Sequence, residues 1–384
     1  MKTSEPYRGF EQGPIRPPSE AASLLIRITR NCPWNRCTFC PVYKGEKFSL
    51  RPVDHVIRDI DTVRFYVAAI VAAERSGQSG PRRELARLSP GGGEGDLRAL
   101  NAAFNFVANG MSSIFIQDGN SLILKPDEII RILGHLRNAF PTVTRITSYA
   151  RSHTIARISA PDLRRIAEAG LNRIHIGMES GSDKVLRMVN KGVDKKTHIA
   201  AGLKVKEAGI ELSEYVMPGL GGKALSGEHA RETADALNRI NPDFIRFRAL
   251  ALPGDAPLTA RYKEGNFDKM GEVDTAGELL LFLETLAGIS STIKSDHVLN
   301  LFPEIDGVLP DDKEKMMMPL RAFLQLDPEE QMLFCIGRRT QRFSRFIDLN
   351  NQQLRGYARE MCAELGATPE NFDAVIEALM QQFI

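Results

Sequence analysis

Three cysteines within nine residues dominate the start of this chain: Cys32, Cys37 and Cys40. They directly follow the run 24–29, whose apolar and β-branched residues are typical of a strand. The only other cysteines, Cys335 and Cys362, lie far downstream. Clustered thiolates select soft centres such as zinc or iron–sulfur clusters, and three of them leave such a centre one protein ligand short. Because chemistry at a metal requires an open coordination position, this feature points to an enzyme.

The spacing C-x4-C-x2-C leaves several kinds of centre to compare. It begins the pattern of plant-type [2Fe–2S] ferredoxins, but no cysteine between residues 41 and 334 supplies the fourth ligand. A zinc site that recruited His55 would lack the second closely spaced ligand pair of structural zinc sites. Buried structural cysteines are a further alternative, although the intervening residues have the composition of a loop. A [4Fe–4S] cluster on three thiolates, with one iron left open, fits the count best.

The composition is that of an ordinary globular protein. The chain has 384 residues, of which 43% are hydrophobic and 26% are charged, so it is long enough for one large core with an appended region or for two modest domains. Its formal net charge of +2 gives no global attraction to nucleic acid or to a membrane. No apolar run approaches the roughly 20 residues of a membrane span. The odd, unevenly placed cysteines argue against a disulfide framework, so we expect a cytoplasmic protein.

Strand-like runs alternate with helical patterns over most of the chain. The predicted strands are 24–29, 113–117, 144–148, 173–178, 211–216 and 244–250. The predicted helices are 53–76, 96–109, 126–138, 161–169, 194–208 and 227–240. Alternating strands and helices predict a parallel sheet with right-handed crossovers. The fold class is therefore α/β, with a partial (β/α)6 TIM-like barrel that later elements could close.

The remaining segments suggest the domain organisation. The Gly-rich stretch 77–95 is typical of a flexible connection between two helices. Beyond about residue 310 only helices are predicted, over 312–326, 328–336, 350–365 and 369–382. We therefore expect four regions: an N-terminal extension over 1–20, a core barrel over 21–255, a segment covering the barrel over 256–310, and a C-terminal helical region over 311–384.

Two stretches carry a resemblance to a known family. The first is the cysteine loop, and the second is Ile174-His-Ile-Gly-Met-Glu179-Ser180-Gly with the Lys191-Gly192 that follows it. Together they resemble the radical SAM superfamily, in particular the SAM domain of Elp3, MiaB and HemN-like enzymes. The resemblance extends over residues 20–255. The commonest spacing in that superfamily is C-x3-C-x2-C, so the longer first interval resembles an uncharacterised subgroup.

The resemblance implies the cofactors and the activity. In that superfamily the three cysteines hold a [4Fe–4S] cluster, and S-adenosylmethionine chelates the open iron through its amino and carboxylate groups. The expected protein is a radical SAM enzyme that reductively cleaves S-adenosylmethionine to a 5′-deoxyadenosyl radical, which acts on an unidentified substrate. An external reductant such as ferredoxin or flavodoxin is implied. A non-catalytic iron–sulfur electron carrier or sensor is the alternative.

The resemblance also implies which residues contact the cofactor, each at the end of a predicted strand where barrel active sites gather. It places an aromatic residue near adenine, a turn at the methionine amino group, and polar residues at the ribose or the methionyl group. The implied residues are Phe39; Gln117, Asp118, Gly119 and Asn120; Ser148 and Arg151; Glu179 and Ser180. Arg246 and Arg248 share one face of the sixth strand, and Arg248 is the expected anion-binding group, on cofactor or substrate.

Several of these assignments have alternatives. Gly92-Gly93-Glu94 spells the family's amino-group motif literally, but no strand precedes it. Ser180 or Ser182 could instead cap the helix that follows. A position of His297 over the barrel mouth is a further possibility. Nucleic-acid binding is disfavoured by the small net charge and rests on three arginines spaced to share a helix face: Arg338, Arg342 and Arg345.

Overall fold

The computed structural model describes residues 5–76 and 93–381. The predicted flexible connection over 77–95 therefore lies mostly outside the described residues, and so does Gly92 of the Gly92-Gly93-Glu94 motif. The described chain divides into two compact units. The first comprises the described parts of Met1–Asn35, Val42–Ile176 and Lys204–Leu212, and the second those of Arg36–Pro41, Gly177–Leu203 and Ser213–Ile384.

Ten strands are found in the described chain. They are β1 (Leu24–Arg27), β2 (Thr29–Arg30), β3 (Ser49–Leu50), β4 (Ser113–Gln117), β5 (Arg145–Ala150), β6 (Arg173–Glu179), β7 (Glu211–Val216), β8 (Phe244–Phe247), β9 (Thr292–Lys294) and β10 (Gly307–Val308).

The helices of the barrel region alternate with these strands. They are α1 (Val53–Arg75), α2 (Glu94–Ala108), α3 (Pro126–Ala139), α4 (Ser152–Arg157), α5 (Ala160–Glu168), α6 (Asp183–Met188), α7 (Lys195–Glu207), α8 (Gly222–Ile240), α9 (Pro257–Lys263) and α10 (Glu272–Thr285). The helices after β10 are α11 (Lys313–Leu324), α12 (Pro328–Arg339), α13 (Gln352–Glu364) and α14 (Phe372–Met380). No helix within residues 5–76 and 93–381 is long and apolar enough to cross a bilayer.

The strands form one mostly parallel sheet of eight strands and a small antiparallel ribbon of β2 and β3. In the first unit β1, β4, β5 and β6 pair in parallel and in chain order. In the second unit β7, β8 and β9 do the same, and β10 adds an antiparallel edge. Helices connect the successive parallel strands, as right-handed crossovers require. The predicted α/β class, with the strand succession of a partial (β/α)6 barrel, is confirmed.

The strands of the parallel sheet are mostly buried. All five residues of β4 are buried, as expected for a strand covered on both faces. One face is aliphatic and includes Ile26, Ile116 and Ile176, each at most 1% exposed. The opposite face carries polar side chains, of which Arg27 and Gln117 are paired in register. Arg27 and Gln117 thus lie side by side opposite the isoleucine face, whereas Ser148, in register with Ile116, lies on the isoleucine face.

Local signals set the helix boundaries. Helix α5 begins after Ser159, whose hydroxyl accepts a hydrogen bond from the Asp162 amide at 3.1 Å. Helix α12 begins after Asp327, which caps the Glu330 amide at 3.0 Å. Proline stands in the first turn of α3 and of both these helices, where its missing N–H costs nothing. These signals explain why the predicted starts of α3, α5 and α12 agree with the observed ones to within one residue, whereas α8 begins at Gly222 rather than at the predicted residue 227.

The six predicted strands and the six predicted barrel helices are all present. The prediction missed β2 and β3 of the ribbon, and also β9, β10, α4, α6, α9 and α10. Strand β9 has only three residues, too short for an alternating pattern to be detected. No strand follows Val308 among the residues described up to Gln381, in agreement with the predicted C-terminal helices. The boundaries between the four predicted regions remain predictions.

The predicted arginine face is not formed. Helix α12 ends at Arg339, so Arg342 and Arg345 lie outside it. The Arg338 guanidinium donates to the carbonyl oxygens of Leu301 and Phe343, both at 2.9 Å. The spacing of three to four residues is correct for a helix, but the chain turns before the face is complete. These arginines therefore do not form a solvated helical face for nucleic acid.

We predict that Gly181→Ala destabilises the protein. Gly181 follows β6, and a Cβ at this position would lie 2.3 Å from the carbonyl oxygen of Glu232 in α8. Because backbone atoms must move to relieve this clash, the free energy of unfolding should fall by about 1–3 kcal/mol. Urea denaturation measures it. The control is Gly134→Ala within α3, where a Cβ meets nothing within 4 Å and should add about 0.5–1 kcal/mol of stability. Equal effects of the two substitutions would contradict the packing argument.

Candidate functional site

The cysteines lie on a loop closed at its base by a strand ribbon. Residues 31–48 form no helix or strand, and β2 and β3 flank them with Thr29 opposite Leu50. Within the loop, Asn31 adopts a left-handed backbone with φ 68°, and its side-chain amide donates to the Lys47 carbonyl oxygen at 2.7 Å. Asparagine tolerates this conformation better than most residues do. The loop is therefore ordered by its own polar side chains.

The donor type of this loop, three thiolates, fits an iron–sulfur cluster, but in this structure the thiolates do not converge on one position. Cys32, Cys37 and Cys40 are half-buried, so a bound group would be partly shielded from water while its ligands stay accessible. Thiolates are the donors that such clusters use. Among residues 5–76 and 93–381, no three or more histidine, cysteine, aspartate or glutamate side chains are gathered around one metal position.

Asp118 fastens the turn after β4 to the cysteine loop. Its fully buried carboxylate accepts hydrogen bonds from Arg27 Nε at 2.5 Å, from the Tyr43 hydroxyl at 2.7 Å and from the Asn31 amide at 3.3 Å. Burial, and next the negative charge of Asp118, raise the pKa of Tyr43 well above its ordinary value, so the phenol stays a donor. Asp118 has φ 76°, a costly conformation for a residue other than glycine, and its three bonds hold it there.

Gly119 places the same turn next to Cys32. A Cβ added at Gly119 would lie 3.4 Å from Cys32 Cβ and 3.5 Å from its sulfur, which is ordinary van der Waals contact. The turn after β4 and the first cysteine are thus close neighbours within the first unit.

The two outer residues of this turn have structural partners. The side chain of Gln117 accepts from the Gly13 amide at 2.8 Å and donates to the Gly13 and Ile15 carbonyl oxygens at 3.1 and 3.0 Å. Asn120 donates to the Thr154 hydroxyl at 2.8 Å, and its oxygen accepts from the Arg151 amide at 3.0 Å. Sequence reasoning located the turn but did not foresee that its side chains bind neighbouring segments. Their predicted contact with the cofactor remains a prediction.

The end of β5 also reaches the cysteine loop. Ser148 is buried, and its hydroxyl donates to the Tyr149 carbonyl oxygen at 3.2 Å. The Arg151 guanidinium lies 5.1 Å from the ring centroid of Trp34, which stands between the first two cysteines. This cation–π contact places Arg151 beside the loop. The first unit therefore brings together Cys32, Trp34, Asp118, Gly119 and Arg151.

In the second unit, Phe39 packs against an apolar cluster. Its backbone neighbour Thr38 donates to the Val189 carbonyl oxygen at 2.9 Å, and Lys191 Nζ lies 5.5 Å from the Phe39 ring centroid. The residues that form the cluster are Val185, Val189, Met217 and Leu220. Phe39 is therefore held rather than loose, as a residue that stacks on a ligand needs to be.

Glu179 and Ser180 end β6 in contrasting environments. Glu179 has φ 64° and forms an ion pair with Lys191 at 3.0 Å, in which both side chains are less than 15% exposed. The hydroxyl of buried Ser180 lies 2.8 Å from His229 Nδ1 and accepts from the Ser182 amide at 3.0 Å. His229 Nε2 is 3.1 Å from the Met217 carbonyl oxygen, so Nε2 carries the proton and Nδ1 accepts from Ser180.

The capping alternative is resolved in favour of Ser182. Its hydroxyl accepts from the Val185 amide at 3.3 Å and so caps α6, whereas Ser180 bonds to His229. Ser180 shapes the backbone that leads into α6 through its bond to the Ser182 amide. It is therefore a rigid, buried part of the strand end.

Glu214 is a candidate that the sequence analysis missed. It lies in β7, is fully buried, and neither of its carboxyl oxygens has a hydrogen-bond partner among the described residues. Burial raises the pKa of Glu214 well above its usual value; the negative charge of Glu179 adds to the rise and Lys191 opposes it. A glutamate within an otherwise buried strand was the available sequence signal, because buried carboxyls without partners are rare and concentrate at functional sites.

The two arginines of the sixth predicted strand have different surroundings. Arg246 is buried and pairs with Asp296, the partner that a buried arginine requires. Arg248 is exposed, and its amide donates to the Val216 carbonyl oxygen at 3.0 Å. Burial, and next the charge of Arg248, lower the pKa of His297 to about 4. Arg248 is therefore the accessible cation of the pair; it lies just beyond β8, and its predicted role in anion binding remains a prediction.

We predict that Asp118→Ala destabilises the cysteine loop. Removing the carboxylate leaves the nearly buried Arg27 without its closest anion, which should lower the free energy of unfolding by about 3 kcal/mol. Urea denaturation gives this value, and limited proteolysis should show faster cleavage within residues 31–48. Asp255→Ala, at an exposed position, serves as the control. If Asp118→Ala and Asp255→Ala have the same free energy of unfolding and the same cleavage rate within residues 31–48, Asp118 does not hold the loop.

We predict a pH-dependent effect of Glu214→Gln. Between the unfolded-state pKa of about 4.3 and the raised pKa, folded Glu214 keeps a proton that the unfolded chain releases. The free energy of unfolding of the unsubstituted protein therefore falls as the pH rises through this window. In Glu214→Gln the fall between pH 5 and pH 8 should be smaller by about 1 kcal/mol or more. Denaturant titrations at both pH values measure it, with exposed Glu207→Gln as the control. An unchanged slope in Glu214→Gln would mean that Glu214 is ionised.

Comparisons with known proteins identify a domain in the chain. Residues 95–237 match the family model of the radical SAM superfamily. This range contains the turn with Asp118 and Gly119 and the end of β6, and it begins after the cysteine loop. The match therefore supports the resemblance without including the cysteines.

Two curated relatives share part of their length with this chain. One is the tRNA uridine(34) acetyltransferase of Methanocaldococcus infernus, 21% identical over 285 residues, which cover 71% of this chain and 51% of that protein. The other is the heme chaperone HemW of Bacillus subtilis, 25% identical over 130 residues, which cover 33% and 34%. The chain thus spans about half of one relative and about a third of the other.

Among solved structures, coproporphyrinogen III oxidase (HemN) from Escherichia coli is similar with a TM-score of 0.45 and 19% identity, over 68% of this chain and 52% of that one. Proteins of the radical SAM superfamily use a [4Fe–4S] cluster and S-adenosylmethionine, which are the predicted cofactors. Residues 95–237 are thus similar to the radical SAM superfamily, in agreement with the resemblance found in the sequence.

Proposed function

We propose that this protein is an enzyme that reductively cleaves S-adenosylmethionine to a 5′-deoxyadenosyl radical and applies that radical to a substrate. The proposal includes a [4Fe–4S] cluster held by Cys32, Cys37 and Cys40. The observation that carries it is the proximity of Gly119, inside the segment that matches the radical SAM superfamily, to Cys32 on the loop outside that match. This proximity supports a common role for the matched segment and the cysteine loop.

When bound, the cluster and S-adenosylmethionine supply the electron transfer and the radical chemistry. The chain's own residues bind and orient. Three thiolates would hold three irons, and Asp118 fixes the start of the loop that carries them. The half-buried Phe39 would present its ring to adenine while its other contacts stay apolar.

For the turn after β4 we propose a role of the backbone. The side chains of Gln117, Asp118 and Asn120 are engaged with other segments of the first unit, so they hold the turn in shape. Backbone carbonyl groups of the turn would then accept hydrogen bonds from the methionine amino group. A rigid turn suits this role because no side chain has to be reoriented when the cofactor binds.

Glu179, Ser180, Ser148 and Arg151 complete the proposed cofactor contacts. Glu179 is paired with Lys191, so a ribose hydroxyl would donate a hydrogen bond to the Glu179 carboxylate beside Lys191 or in its place. Ser180 and Ser148 would act chiefly through position, because each hydroxyl already has a hydrogen-bond partner. Arg151 offers paired donors for a carboxylate. Arg248 is proposed as an anion-binding group of cofactor or substrate.

The reaction requires an electron donor, for which we propose ferredoxin or flavodoxin, and a reducing compartment such as the cytoplasm. The alternative is an iron–sulfur carrier or sensor that does not cleave S-adenosylmethionine. The tRNA acetyltransferase among the relatives acts on tRNA by its name. Since Arg338 and Arg339 are engaged with Leu301, Phe343 and Glu272, we propose no nucleic-acid surface here.

We predict that anaerobic reconstitution loads iron and sulfide into the unsubstituted protein and that replacing Cys32, Cys37 and Cys40 by alanine abolishes the loading, because the proposed ligands are lost. Iron and sulfide analysis with electron paramagnetic resonance of reduced samples measures it. The matched control is Cys362→Ala, a buried cysteine of the C-terminal helices, which should load normally.

The same samples test catalysis. With S-adenosylmethionine and dithionite, the reconstituted protein should release 5′-deoxyadenosine, detected by liquid chromatography, and the triple variant should not. A loaded cluster without 5′-deoxyadenosine would favour the carrier or sensor. Retention of iron by the triple variant would refute the proposed ligands.

A further inference from the structure

In the second unit, one asparagine ties the end of β8 to the loop after β9. The side chain of Asn300, only 6% exposed, donates to the Phe247 carbonyl oxygen at 2.9 Å and accepts from the Ala249 amide at 2.9 Å. These two residues flank Arg248 on either side. The Asn300 amide also donates to the His297 carbonyl oxygen at 2.9 Å. Asn300 is therefore a buried clamp that ties the backbone around Arg248 to the segment that carries His297.

A backbone contact determines which ring nitrogen of His297 carries the proton. The Leu299 amide donates to His297 Nδ1 at 3.2 Å, so Nδ1 is an acceptor and the proton of the neutral ring sits on Nε2. The pKa of His297 is lowered to about 4 by burial and next by the charge of Arg248, with Asp296 opposing. At neutral pH the ring is therefore an uncharged donor beside a cation.

The charges at this edge leave Arg248 uncompensated. Arg246 is paired with Asp296, and Lys294 with Asp306 at 2.8 Å. Arg248 is exposed, and in the part of the chain that the structure describes no hydrogen bond or ion pair joins its guanidinium to another residue. A positive charge therefore remains accessible where β8 ends.

We propose that Arg248 and His297 bind an oxyanion, a carboxylate or a phosphate, of the substrate. The guanidinium of Arg248 offers paired hydrogen-bond donors that match either group, and His297 Nε2–H adds a third, uncharged donor. Both residues follow the carboxyl ends of parallel strands, the edge at which ligands of such sheets bind. The assignment of this oxyanion to a substrate rests on the proposed function. The oxyanion site itself rests on the Asn300 clamp and on the charges around Arg248.

The test uses the full chain with ¹³C-labelled histidine and the probes inorganic phosphate and acetate. The His297 signal is assigned with His297→Gln and followed by NMR. Either probe should produce a saturable shift and raise the pKa of His297, because a bound anion stabilises the protonated ring. A stronger response to phosphate or to acetate identifies which oxyanion the site prefers.

Arg248→Gln should weaken saturation at least about tenfold, whereas Arg248→Lys, which keeps the charge and loses the paired geometry, should weaken it less. The matched control is Arg239→Gln, an exposed arginine of α8 in the same unit, which should bind as the unsubstituted protein does. Thermal melts verify that all variants fold. No saturable shift with either probe, or equal weakening in Arg239→Gln, would overturn the proposal.

A further arm separates this proposal from the proposed function. S-adenosylmethionine is added to the reconstituted protein, and 5′-deoxyadenosine is measured in parallel. If S-adenosylmethionine alone displaces phosphate from His297, the site belongs to the cosubstrate and the substrate assignment fails. If phosphate binds while no 5′-deoxyadenosine forms, the oxyanion site stands and the proposed function fails. If 5′-deoxyadenosine forms but no probe shifts His297, this inference alone fails.

Discussion

The buried carboxylate of Asp118 is the interaction on which the first unit's site depends. It binds a guanidinium, a phenol and a backbone amide that come from β1 and from both sides of the cysteine loop. A buried charge is costly unless it is paired and hydrogen-bonded, so this network is satisfied in one arrangement and penalised in others. The left-handed backbone at Asp118 and the close approach of Gly119 to Cys32 are both maintained by it.

In the second unit, too, most buried polar groups are paired with a hydrogen-bond or ion-pair partner. Ser180 and His229 satisfy each other in the interior, and Glu179 pairs with Lys191 beside Phe39. Glu214 is the exception, since burial without a hydrogen-bond partner raises the pKa of its carboxyl group. Such a group lowers stability, and a fold tolerates it where a bound molecule or a proton transfer makes use of it.

Much of the fold was predictable because its signals are local. Runs such as 113–117 and 211–216 have strand composition, and capping residues such as Ser159 and Asp327 mark helix starts. The strand ends at residues 117–120 and 179–180 were located correctly for the same reason. The roles of their side chains were not, because the partners of Gln117 and Asn120 lie about a hundred and about thirty residues away in the chain. The arginine face failed because α12 ends at Arg339, within the proposed pattern.

The sequence by itself determined the α/β class, the resemblance of residues 95–237 to the radical SAM superfamily, and the nine-residue window that carries the thiolates, since each depends on composition or spacing along the chain. Only the tertiary structure decided which polar residues are engaged and which remain accessible. Arg246 and Arg248 are two residues apart and alike in sequence, yet one is buried against Asp296 and the other is exposed beside His297. Burial and long-range pairing are properties of the folded chain, so no local pattern could have distinguished them.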